Sequence, residues 1–79
     1  MCANHVHILT FKQSEVENEQ IISGLEAFPS EMIWTVMQDM TNSSSIRVGI
    51  DSNGKLYLRS TAGSVVHSAK IAGEIAYVA

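Results

Sequence analysis

Two histidines open the chemistry of this chain. His5 and His7 stand two apart in the run His5-Val6-His7-Ile8-Leu9-Thr10-Phe11-Lys12. In a strand, residues two apart share a face, so both imidazoles could turn towards one metal ion. Two ligands do not complete a site. His67 is the only other histidine, so a full coordination shell would need copies of the pair gathered at a symmetry axis. The simpler reading is two surface histidines near a chain end. Serine, histidine and aspartate are all present, but no Gly-x-Ser-x-Gly elbow presents a nucleophile. Asp51, the most prominent aspartate, is better explained by the turn that follows it. Cys2 has no base-rich motif beside it, and glycine-rich phosphate loops are absent. These residues predict no enzyme, no cofactor and no catalytic group.

A second constellation is basic and aromatic. Tyr57 and Arg59 alternate on one strand, and Arg47 shares their outer face across a hairpin; Trp34 joins them if it is not core. Such a set could stack and hydrogen-bond a sugar or a partner surface. The simpler reading is an ordinary solvated sheet face, or one covered by a neighbouring subunit, with Trp34 in the core.

The elements that must position these groups read as strands. His5–Lys12 is rich in β-branched and aromatic residues, with Val6, Ile8 and Thr10 on one face and His5, His7, Leu9 and Phe11 on the other. Apolar weight on both faces predicts a strand covered on both sides. Gln13–Gly24 has two readings. Ser14 with Glu17 resembles a capping box and would start a short helix near 14–24. Alternatively, the acidic run is a loop that leads into a short strand over Glu19–Ser23. Pro29 breaks regular structure, and Met32–Gln38 is an apolar strand. Thr41–Ser45 is a polar surface loop.

The hairpin that follows has a derivable register. A two-residue Asn53-Gly54 loop would set Ile50 opposite Tyr57 and Asp51 opposite Leu56. A three-residue Ser52-Asn53-Gly54 loop sets Ile50 opposite Leu56, Val48 opposite Leu58 and Asp51 opposite Lys55. Opposed residues share a face, so only the second choice gathers the aliphatics on one side. It also gives Gly54 the left-handed position that glycine occupies most cheaply. Ser64–Ser68 and Lys70–Val78 complete the strands. Ala72, Gly73 and Ala76 suggest close approach by another backbone. The expected fold is all-β: a small antiparallel sandwich or barrel of six or seven short strands, one domain over residues 1–79.

Composition limits the function. Seventy-nine residues bury only about 60% of the surface they expose when unfolded, so such a core is marginal. One cysteine allows no intrachain disulfide. Residues are 46% hydrophobic and only 16% charged, against roughly 25% charged in an average domain, which favours self-association. A net charge of −3 has the wrong sign for grasping a nucleic-acid backbone. No apolar run approaches a membrane span of about 18 residues. Val6, Ile8, Trp34, Val36, Ile46, Val48, Ile50, Leu56 and Leu58 are expected to form the core and an interface between copies.

The order of elements resembles the small β-rich domains at the C-terminal ends of tailed-bacteriophage tail fibres, baseplate proteins and receptor-binding proteins. Val6–Phe11 is similar to their opening strand. Ile22-Ser23-Gly24-Leu25 with Phe28-Pro29-Ser30 is similar to their Leu-Pro segment, here interrupted by Glu26 and Ala27. Ile46–Leu58 resembles their Arg-Ile-x-Ile hairpin, and Gly73-Glu74-Ile75-Ala76-Tyr77 their terminal strand. The resemblance implies a virion protein of the tail, made in the bacterial cytoplasm. It further implies a homo-oligomer, a trimer foremost, that contacts other virion proteins and a host-surface saccharide. It transfers no binding residue by position. The alternative is a small acidic inhibitor or adaptor, steered to a basic partner by Glu15, Glu17 and Glu19.

Overall fold

A computed structural model describes residues 5–79; Cys2 lies outside them. Five strands follow in order: β1 Val6–Glu17, β2 Ile33–Asp39, β3 Ser44–Ile50, β4 Leu56–Arg59 and β5 Ser68–Val78. They form one sheet in the order β1-β5-β2-β3-β4, and every pairing is antiparallel. The all-β expectation holds. The sheet curls on itself, and the chain leaving β1 closes the gap along β4. There Glu19 donates its N–H to Leu56 O (2.7 Å), Leu56 donates to Gln20 O (2.8 Å), and Ile22 donates to Gly54 O (3.0 Å). The result is a partly closed barrel of fewer strands than the six or seven expected.

The missing strands shrink to single bridges. Glu19–Ser23 contributes only Ile21 opposite Lys55; of Ser64–Ser68, Val65 bridges Arg59 and Ser68 opens β5 opposite Glu17. A lone edge contact satisfies β4 on these sides without a full ladder. The short helix near 14–24 does not form. Ser14–Glu17 instead continues β1, because β5 offers those residues a ladder partner that an isolated helix turn could not match. At the other loop, Ser44 and Ser45 pair with Asp39 and Gln38, so the polar loop ends at Ser43.

A bulge makes the long β1 possible. The register with β5 shifts between Phe11 and Ser14, and Gln13 has φ 55°. Before the bulge, His7, Leu9 and Phe11 turn inward; after it, Ser14 and Val16 do. One extra residue thus keeps the inward face of β1 on the core, where plain alternation would have flipped it. The molecule measures 45 × 21 × 20 Å, its long axis exceeding the roughly 40 Å that a strand of this length spans at about 3.3 Å per residue.

The core is the inward row of every strand. Ile46, Val48, Ile50, Leu56, Leu58 and Ile71 are at most 2% exposed, joined by Val16, Met37, Ala69 and Ile75. Leu25 and Phe28 from the long β1–β2 connection lie over the hairpin turn, where a Cβ on Gly54 would meet Phe28 Cε1 at 2.8 Å. Tyr77 anchors the same connection by donating its hydroxyl to Ala27 O at 2.8 Å. Burial, and then the Glu26 carboxylate, raises the Tyr77 hydroxyl above its ordinary pKa.

Two expectations about burial need correction. Among the described residues β1 and β2 are covered on one side only: Val6 is 67% exposed, Ile8 59% and Val36 62%. Trp34 also faces outward, so four of the nine expected core-and-interface residues lie on the outside. A single small sheet has only one interior, and both strands send half of their apolar residues away from it. Gly73 of β5 is approached by a side chain rather than a backbone: a Cβ on it would meet Met37 Cγ at 2.8 Å.

Candidate functional site

The β3–β4 register is the three-residue-loop one: Val48 opposite Leu58, Gly49 opposite Tyr57, Ile50 opposite Leu56. Gly54 has φ +82° and donates to Asp51 O, while Asp51 donates to Lys55 O. Because this turn sends the aliphatics inward, it sends Arg47, Tyr57 and Arg59 outward together. On the other side β2 places Trp34 opposite Gly49 and Val36 opposite Arg47. Two rows therefore cross three strands on the outer face. One reads Trp34, Gly49, Tyr57; the next reads Val36, Arg47, Arg59.

The glycine in the first row is what shapes the site. A Cβ on Gly49 would lie 2.8 Å from ring carbons of Trp34, so the indole rests on bare backbone. Any larger residue would push it off. The Arg47 guanidinium carbon sits 5.4 Å from the Trp34 ring centroid, within cation–π range. Trp34 stays 39% exposed, which leaves indole surface free beside a positive charge.

Arg59 is held differently. It donates Nη1 to Asn18 Oδ1 (2.9 Å) and to Leu58 O (2.8 Å), and its Cζ lies 5.7 Å from the Tyr57 ring centroid. Asn18 Oδ1 also accepts from Leu58 N at 3.0 Å, so one side chain closes the barrel seam and aims a cation. Arg47 and Arg59 are direct cross-strand partners. Like charges so placed oppose folding; each guanidinium escapes to its own aromatic ring. The pair still brings together two of the five basic side chains of a net-acidic protein.

Tyr57 is fixed through the turn. Its hydroxyl donates to Asp51 Oδ2 at 2.9 Å, while Asp51 Oδ1 accepts from the backbone of Asn53 (2.8 Å) and Lys55 (3.0 Å). The Lys55 N–H foremost, helped by the Tyr57 hydroxyl and Asn53 N–H, lowers the Asp51 carboxyl below its ordinary 3.8 against an opposing desolvation. The same bond to Asp51 raises the Tyr57 hydroxyl above 10.0. Sequence reasoning gathered Arg47, Tyr57, Arg59 and Trp34 as a patch, and the structure places all four on one face. It missed Gly49, Asn18 and the reach of Asp51. Only Gly49 carried a signal, as a glycine interrupting the alternation of a strand.

The histidines do not converge. His7 stacks on Tyr77 with ring centroids 5.4 Å apart at 19°. His5 is exposed and exchanges two backbone bonds with Ala79. His67 lies near the far end of β1, its carbonyl accepting from Asn18 N. Among the described residues no three potential ligands are grouped as a metal would require. Glu15, Glu17 and Glu19 are exposed, and Glu19 lies 3.9 Å from Lys55.

No family model matches the chain, and no significant match is found among curated proteins or solved structures.

Proposed function

We propose that this chain is a non-catalytic assembly and adhesion module. In this reading it is a virion component of the tail tip, fibre or baseplate kind that its sequence resembles, working as a homo-oligomer among other virion proteins. The outer face of β2–β4 is its contact surface, with an acidic saccharide of the host surface as ligand. The observation carrying this reading is Trp34 laid flat on Gly49 with Arg47 beside it. A flat, partly exposed indole supplies stacking surface for a sugar ring, and adjacent guanidinium groups recognise carboxylates. Exposed Val6, Ile8, Val36 and Val78 support association with further protein surface.

The reading is tested by titrating the protein with uronic-acid and sialic-acid oligosaccharides while following Trp34 fluorescence and backbone amide shifts. Shifts confined to Trp34, Arg47, Gly49 and Tyr57, and lost in Trp34→Ala, are the expected result. Absence of any shift at millimolar oligosaccharide would remove the saccharide. The adaptor alternative draws on Glu15 and Glu17, which project on one side of β1 beyond the bulge; charge reversal there would abolish capture of a basic partner and leave sugar binding untouched.

A further inference from the structure

The outer edge of β1 is open. The sheet has two outermost strands, and they are treated unequally. The free side of β4 is occupied by Asn18–Ile22 and by Val66, which donates to Leu58 O at 3.2 Å. From Val6 to Phe11, β1 pairs with β5 on one side, and no other described residue bonds its backbone.

Which groups point outward follows from the ladder. His5 and Ala79 exchange both backbone bonds (3.1 and 3.0 Å). In an antiparallel ladder such pairs alternate with non-bonded ones. His7, Leu9 and Phe11 therefore bond to β5, while Val6, Ile8 and Thr10 aim their N–H and C=O groups at the open edge. Natural edges are usually blunted by a charge, a proline or a bulge. Here Val6–Phe11 carries no charged residue and no proline, and the bulge comes only after Phe11.

We infer that this edge pairs with the same edge of a second copy about a two-fold axis at Ile8. Ile8 then faces Ile8 of the other copy, and Val6 faces Thr10 in both directions, so all three outward residues exchange their backbone bonds. Shifting the register one pair towards the bulge would bring in Lys12, where the ladder is already broken. A strand meeting its own copy places each side chain opposite another of the same uncharged set, so no like charges are opposed. The other outermost strand is occupied, so outer-edge pairing ends at two chains. The inference rests on the self-association proposed above and names its surface, giving a dimer where the family resemblance implies a trimer.

Sedimentation equilibrium and amide hydrogen exchange on the whole chain provide the test. Twice the chain mass is expected, with the Val6, Ile8 and Thr10 amides protected in concentrated protein and unprotected on dilution. Ile8→Lys should return the mass to a single chain. Ile8→Pro should do the same, because the Ile8 N–H makes no bond to β5. An oligomer of unchanged mass in both variants, or unprotected Val6, Ile8 and Thr10 amides in concentrated protein, overturns the edge pairing and leaves self-association standing. A wild-type monomer at high concentration overturns both.

Discussion

The β3–β4 hairpin and the ribbon made by Val6–Phe11 with Gly73–Val78 use the same kinds of residue and bury them very differently. In the hairpin, Ile46, Val48, Ile50, Leu56 and Leu58 are at most 2% exposed. In the ribbon, Val6, Ile8 and Val78 are more than half exposed. Composition cannot separate the two, since both alternate aliphatic residues with others. Neighbours do. The hairpin has β2 on one side and the chain after β1 on the other, and its inward row meets the whole core. Among the described residues the ribbon's β1 edge has no backbone partner, its β5 edge meets β2 only just before Gly73, at Ile71 and Ala72, and its outer face is uncovered. The hairpin is therefore where stability is concentrated, and the ribbon is where surface remains for a partner.

The strongest way to break that contrast is Leu58→Ala. Removing a fully buried leucine costs about 2–5 kcal/mol, against a total of about 4–12 kcal/mol for a chain this size. Urea unfolding should show a large fall in midpoint. Gly54→Ala is the next largest: a left-handed φ and contact with Phe28 together cost about 1–3 kcal/mol. Tyr77→Phe removes the bond to Ala27 and costs about 1 kcal/mol. Its effect should appear as faster amide exchange over 24–28 with the hairpin amides unchanged.

A pH titration sharpens the comparison inside the hairpin itself. The Asp51 carboxyl is lowered in the folded chain, so its stabilisation is present above 3.8 and fades as pH falls through the folded value. The Tyr57 hydroxyl is raised, so its share is complete below 10.0 and is lost as pH rises through the folded value. Asp51→Asn should flatten both ends of a plot of unfolding midpoint against pH. The smallest effect belongs to the ribbon: Val6→Ala should change the stability of the single chain by less than about 0.5 kcal/mol. A larger loss at high protein concentration, absent on dilution, would place Val6 in an interface.

The candidate patch was legible because it depends on one turn. Once Gly54 and the aliphatic alternation set the register, Arg47, Tyr57 and Arg59 had to share a face. Trp34 was harder, since an aromatic residue in an apolar strand reads equally well as core. Its outward position depends on β2 pairing with β3, and its flat seat depends on Gly49. Asn18 was not legible. It lies in a polar acidic run, and its two partners, Leu58 and Arg59, are some forty positions away.

The sequence by itself determined that this chain is built of strands and how the hairpin is registered, because alternation and turn chemistry act over a few neighbouring residues. Only the tertiary structure decided the course of Gln13–Ile22. Those residues have no strong local preference, and they follow β5 through Glu17 and β4 beyond it. Tertiary structure also decided which apolar face of β1 turns to the core. A one-residue bulge sets that face, and the bulge exists only in register with a partner strand that arrives some sixty residues later in the chain.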